Sequence, residues 1–297
     1  MHILHIYNLE YTQLLDMLPA NLSELHIHTD RYNRPLNKLP PNLRILNIYG
    51  WEYNLPLNNL PKNLNTLILG TSFNQPIDNL PSKPQILKVD SDFNQPIDNL
   101  PSNLHTLKLG YRFNQPIDNL PANLHTLILG NRFIQPIDNL PCYLHTLILS
   151  ADFNFPLNNL PKSLHTLELG WSYKQPIDNL PASLKTLIIS DWFNQPIDNL
   201  PKSLETLIIG SNFNQLIDNL PASLKTLEIG HSFNQPINNL PTSLESLKLG
   251  NSFYKSINKL PNKLRVLNIE NPIFYLSSQL PSSIINLYIN KELIISK

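Results

Sequence analysis

The nine residues Phe73 to Pro81, FNQPIDNLP, recur unchanged from Phe93, Phe113 and Phe193, and altered copies begin at Phe133, Phe153, Tyr173, Phe213 and Phe233. The spacing around these copies is as constant as the letters. Leu stands at 60, 80, 100 and every twentieth position to Leu280, and Pro follows it each time, from Pro61 to Pro281. Two earlier pairs, Leu18-Pro19 and Leu39-Pro40, lie 21 residues apart, with the extra residue in HTDR (28–31) and YGWE (49–52), which marks a loop there. A fixed period of this length is the mark of a repeat architecture.

Within one unit, Leu104 to Pro121, the apolar positions Leu104, Leu107, Leu109, Phe113, Ile117 and Leu120 read LxxLxLGxxFxxPIxxLP. The LxxLxL part is the strand pattern of leucine-rich repeats, with alternate side chains pointing inward and the ones between facing solvent. A short parallel strand is therefore expected around 105–109 in each unit. Gly110 is expected to take a positive φ at the turn, and Pro116 and Pro121 forbid a regular helix over the return path. Six apolar side chains do not offset the entropy of ordering twenty residues, so a single unit cannot fold alone. Units stacked face to face share ladders and bury one another. The repeated letters are thus the ones that touch their own copies.

The expected fold is a β-rich solenoid, a leucine-rich-repeat-like right-handed coil of about fifteen units of 20–21 residues. Its parallel sheet lies on one face and its return segments are irregular and helix-poor. One domain over 1–297 is expected: a partial repeat (1–19), 21-residue repeats (20–61), regular 20-residue repeats (62–281), and a final strand and tail (282–297). Pro84, in a strand-leading Leu column, is expected to distort one strand entrance, and Leu216 replaces a repeat Pro. The tail KELIISK breaks the pattern after Ile289 and reads as a partial cap.

Lys plus Arg and Asp plus Glu both number 22, so no net field draws the chain to nucleic acid or an anionic membrane. The single cysteine, Cys142, excludes an intramolecular disulfide framework and a Cys-based zinc site, and a reducing cytosolic setting is the simplest reading. The start, MHILHIYNLEYTQLLDML, lacks a basic region followed by a long apolar run, and no window of about 18 apolar residues occurs. Neither a secretory signal nor a membrane span is expected.

The combination of FNxPI, LP and LxxLxL in fixed order, repeated about a dozen times, resembles the FNIP repeat family, known mainly from amoebae and the giant viruses that infect them. The resemblance covers nearly the whole chain. It implies a leucine-rich-repeat-like fold, and for members carrying an N-terminal F-box it implies substrate receptors of ubiquitin ligases. Here Leu4 and Ile6 already read as strand positions, Tyr11 stands in the Phe column and Leu18-Pro19 closes the unit, so no F-box is expected before the repeats.

Stacking turns residues twenty apart into columns about 5 Å apart, each of which can be weighed for chemistry. The Asp column (Asp78, Asp98, Asp118, Asp138, Asp178, Asp198, Asp218) holds Asn at 158, 238 and 258, which favours Asx turns over a calcium ladder. His105, His125, His145 and His165 stack beside Lys185, Glu205, Lys225 and Glu245, a pattern suited to an exposed strand entrance with cross-strand charge pairs. The Thr column (Thr66, Thr106 to Thr226) reads as good exposed strand residues, and the Asn74 and Gln75 columns as backbone-binding scaffold at the turn. No nucleophile elbow, P-loop, HExxH or dinucleotide fingerprint occurs. Catalytic residues, metal ligands and cofactors are all expected to be none.

If repeated columns are scaffold, the drifting ones are free for recognition. Ile128 with Ile148, and Ile188 with Ile208, form apolar pairs in the outward strand column, which otherwise mixes Ile, Lys and Glu. The two positions after each strand hold Tyr111, Arg112, Arg132, Trp171, Trp192 and His231, and aromatics with Arg are the types favoured at interface hot spots. The expectation is a non-catalytic scaffold that binds a protein partner through the strand face and this rim. A substrate receptor working with an F-box partner in another chain is the runner-up. Self-association through uncapped solenoid ends is the third reading.

Overall fold

A computed structural model describes residues 2–7, 11–271 and 280–296. They form two compact units, Met1–Ser150 and Ala151–Lys297. The described residues contain strands, turns and irregular return segments, and no helix.

In the first unit eight strands follow chain order: β1 (His2–Ile6), β2 (Leu22–Ile27), β3 (Ile45–Ile48), β4 (Thr66–Leu69), β5 (Ile86–Val89), β6 (Thr106–Lys108), β7 (Thr126–Ile128) and β8 (Thr146–Ile148). Each pairs in parallel with the next, one repeat apart, as in Thr106↔Thr126 and Leu107↔Leu127. The second unit continues the rule with β9 (Thr166–Leu169), β10 (Thr186–Ile189), β11 (Thr206–Ile209), β12 (Thr226–Ile229), β13 (Ser246–Leu249), β14 (Val266–Ile269) and β15 (Asn286–Ile289). The parallel solenoid is thus as expected, with regular strands that begin at the Thr column, one residue later than the sequence reading. Just before them a carbonyl serves two N–H groups: His105 and Thr106 both donate to Gln85 O, at 2.9 Å each.

β16 (Glu292–Ser296) is the exception, pairing antiparallel to β15 through a two-residue turn at Asn290 (φ 50°) and Lys291 (φ 64°). Two consecutive left-handed residues are what a tight hairpin turn requires, because their twist matches that of the flanking strands. The tail KELIISK therefore ends the parallel ladder by folding back over its last edge, which gives the expected cap a definite form.

The core repeats with the sequence. Leu104, Leu107, Leu109, Phe113 and Ile117 are each at most 4% exposed. Leu120 departs from its expected place: it is half-buried, and the following Pro121 is buried instead. The aromatic column forms a ladder of near-parallel rings, Tyr32–Tyr53–Phe73–Phe93–Phe113 in the first unit and Phe153–Tyr173–Phe193–Phe213–Phe233–Phe253 in the second. Centroids of successive rings lie 6.2–6.5 Å apart.

Where tyrosine enters this ladder its hydroxyl must find a partner. Tyr173 donates to Pro176 O at 3.3 Å, whereas the hydroxyls of Tyr32 and Tyr53 are buried without one. Burial pushes the phenol pKa of all three far above its usual value, so they stay neutral. Removing an unsatisfied buried hydroxyl removes its desolvation cost. Tyr53→Phe is therefore expected to stabilise the chain by about 1 kcal/mol, and Tyr173→Phe to give no such gain; paired thermal melts compare the two.

Two expectations about the turns are corrected. No described glycine has a positive φ. Gly110 is required for closeness: a Cβ there would collide with the Asp90 carbonyl of the preceding turn, and one at Gly210 would lie 2.6 Å from Ser190 C and Asp191 N. Pro84 likewise leaves its strand entrance intact. Gln85 and Ile86 donate to Asn65 O at 2.8 and 3.2 Å, and β5 keeps its register with β4 and β6. What proline lacks is only the turn bond made elsewhere, as by Leu104 N–H to Pro101 O at 3.1 Å.

Candidate functional site

Most repeated columns spend their polar atoms on the stack itself. Asn94 Oδ1 accepts the Asn114 N–H at 2.9 Å, and Gln115 Nε2 donates to Asn94 O and Oδ1 at 3.1 and 3.3 Å. The same arrangement links Asn194 to Asn214 and Gln215 in the second unit. These columns are backbone-binding scaffold, as read from sequence.

The Asp column is also scaffold, by a different route from the Asx turn expected. Asp98 Oδ1 accepts from Asn119 Nδ2 at 3.0 Å, Asp118 from Asn139 at 3.1 Å and Asp198 from Asn219 at 3.0 Å. In these repeats the acceptor reaches an Asn of the next repeat, 21 residues on. The Asp-or-Asn alternation marks an acceptor, but its donor lies in another turn.

His105, His125 and His145 stack with centroids 5.1 Å apart. Each Nδ1 sits on the carbonyl oxygen two residues back, Asn103, Asn123 or Tyr143, at 2.7, 2.7 and 2.6 Å. A carbonyl can only accept, so Nδ1 carries the proton and the rings are fixed parallel as a ladder. Further along this column, Glu205 takes Lys225 at 2.6 Å and Lys185 at 3.9 Å. Its hydrogen bond from Lys225, and then that residue's charge, lower the Glu205 pKa, while Glu205 raises that of Lys225. Exposed charge pairing of this kind is screened and adds little stability.

The rim after each strand is where side chains turn outward. In the first unit Tyr111 is 45% exposed and carries the Arg132 guanidinium 5.4 Å from its ring centroid, and Arg112 Nε meets Asp92 Oδ1 at 3.4 Å. In the second unit Trp171 and Trp192 are 63% and 56% exposed, and Lys174 Nζ stands 4.6 Å from the Trp192 centroid. Cations over the Tyr111 and Trp192 faces hold those two rings in place without covering them. The isoleucine pairs lie in register, Ile128 opposite Ile148 and Ile188 opposite Ile208, but all four are half-buried. Cys142 is exposed.

Two sets of residues escaped the sequence reading. Trp51, 66% exposed, stands two residues before the core ring Tyr53, as Tyr111 stands before Phe113. It was hidden because the 21-residue spacing made YGWE look like a mere insertion. His26 on β2 and His28 just past its end, at i and i+2, share a face with His5 of the neighbouring strand. The HxH spacing in LHIHT was the available signal.

The FNIP Repeat profile matches residues 32–72, 93–132, 113–152, 153–191, 193–232 and 216–252. The chain belongs to the FNIP repeat family. Among solved structures, this FNIP chain is similar to the giant-virus protein CroV588, described as a novel circular leucine-rich-repeat structure, at 35% identity and a TM-score of 0.76. That match covers 92% of this chain and 47% of CroV588, so the chain spans about half the length of its relative. YopM from Yersinia enterocolitica (21% identity, TM-score 0.52, 92% of this chain and 65% of that one) shares the fold. So does the internalin InlF from Listeria monocytogenes (22%, 0.58, 77% and 76%). None of the curated proteins matches the FNIP chain. Repeat families with leucine-rich-repeat-like solenoids are typically non-enzymatic interaction scaffolds.

Proposed function

We propose that the chain is a non-catalytic scaffold that holds a protein partner through the aromatic and cationic rim beside its strand face. The observation that carries this reading is Trp192, more than half exposed yet steadied by Lys174 4.6 Å away. A large apolar ring presented in fixed orientation loses little entropy on binding and buries much area, which is how hot-spot residues act. Trp171 adds a second exposed aromatic ring in the same unit, and Tyr111 under Arg132 repeats the cation-steadied arrangement in the first. The Asn, Gln and Asp side chains of the repeated columns are engaged between repeats, which leaves the variable rim positions to encode a partner.

The test is affinity purification from an amoebal cell, with wild-type chain and a Trp171→Ala/Trp192→Ala variant of equal melting temperature side by side. The reading expects a protein that binds the wild type and binds the variant about tenfold or more weakly. Identical affinity for both would overturn the assignment of this rim. Ubiquitin-ligase subunits among the rim-dependent proteins would place the scaffold in a ligase as its substrate receptor.

A further inference from the structure

We propose that His5, His26 and His28 form a binding site for a divalent transition-metal ion of the zinc type, with the Glu24 carboxylate beside it. The site is made by two adjacent strands. His5 on β1 lies directly opposite His26 on β2, and Glu24, His26 and His28 follow at every second residue, so all four side chains leave the same outer face.

The spacing suits one ion. One ring nitrogen from each histidine lies within 4.8 Å of the others. His5 Nδ1 and His28 Nε2 are already 3.3 Å apart. Two nitrogens bound to one tetrahedral zinc at about 2.0–2.1 Å stand about 3.3 Å from each other. Glu24 Oε2 is 3.4 Å from His26 Nε2 and brings a hard anionic oxygen beside the histidine cluster. Three imidazoles and a carboxylate are a donor set that zinc accepts.

The rings of Tyr7, His28 and Tyr49 stack with centroids 4.6 and 4.7 Å apart, which restricts the rotation of His28. His5 is exposed and stacks on His26 at 4.4 Å, so binding one ion turns the His5 ring about its side-chain bonds until both in-plane lone pairs meet it. Asn47, 5% exposed, contacts His26 Nδ1 at 2.9 Å through Nδ2, while its Oδ1 is buried without a partner. This contact holds the His26 ring from behind, as groups behind metal-bound imidazoles do.

This cluster differs in kind from the His105 column. There each Nδ1–H is committed to a backbone carbonyl and the rings stack in a single file. Here nitrogens of neighbouring chain segments approach one another, His5 Nδ1 and His28 Nε2 at 3.3 Å.

The test is isothermal titration of the tag-free full chain with Zn2+, repeated for His5→Phe, His28→Phe and His105→Ala/His125→Ala. Phenylalanine keeps ring volume and stacking, and far-UV circular dichroism with thermal melts checks folding; should His28→Phe not fold, exposed His5 alone decides the result. The proposal expects one saturable site per chain, weakened about tenfold or more by His5→Phe and by His28→Phe and unchanged in the His105/His125 variant. Co2+ in place of Zn2+ should give the intense visible bands of a tetrahedral centre. No saturable binding, or binding that survives both phenylalanine variants, would overturn it.

Discussion

Phe113→Ala is expected to lower the stability of the chain by about 3–5 kcal/mol, a loss on the order of 10 °C in melting temperature. Phe113 is fully buried between Phe93 and Phe133, each with its centroid 6.2 Å away. Ordinary cores soften such a deletion by letting neighbours move in. Here Phe93 and Phe133 are tied to their own repeats, whose strands are held in register with β6 on either side. The cavity therefore stays open, and two repeat interfaces are weakened at once because stability in a solenoid resides between neighbours. Tyr111→Ala, two residues away on the rim, is the control and should change stability by less than about 0.5 kcal/mol. Urea unfolding of the two variants separates the outcomes, and equal midpoints would show that the ring ladder is not a principal source of cohesion.

Asn114→Ala is expected to cost about 2 kcal/mol. Its Oδ1 accepts the Ile134 N–H at 2.9 Å and takes Gln135 Nε2 at 3.3 Å, while the Gln135 amide also reaches Asn114 O at 3.3 Å. Losing the side chain strips an acceptor from a backbone N–H of the next turn and loosens the glutamine that spans the same step. Asn114→Asp retains an acceptor oxygen at that place and should recover most of the loss at neutral pH. Denaturant titration reads both effects. An alanine variant as stable as the parent would mean that solvent satisfies the Ile134 N–H equally well.

The two effects differ because they belong to different levels of legibility. The Phe column could be read from spacing alone, since a large apolar residue every twenty positions has nowhere to go except onto its own copies. The Asn column was readable as scaffold, but which atom it binds was visible only with the next turn in place. The Asp column shows the limit most clearly. Its Asp-or-Asn alternation named an acceptor, yet the donor proved to be an Asn 21 residues on, outside any local pattern. Gly110 is similar: its identity marked a turn, but the requirement comes from the Asp90 carbonyl of another repeat and involves no positive φ.

The candidate surfaces divide in the same way. Tyr111, Arg132, Trp171 and Trp192 were identifiable as outward aromatic and basic residues because the period assigns every residue a face. That Arg132 and Lys174 would each seat over a ring depended on side-chain geometry across repeats. Trp51 was lost to a single inserted residue that broke the column count.

By itself the sequence determined the repeat, the parallel strand in each unit, the inward columns and the absence of helix from the return path. Period, side-chain alternation and proline's missing N–H are local properties, and copying them along the chain leaves one way to stack. Only the tertiary structure decided which polar atoms join neighbouring turns, that KELIISK folds back as an antiparallel strand, and that His5 meets His26 and His28. Those pairings depend on register between segments about twenty residues apart, and register is set by packing against the neighbour, which no single repeat contains.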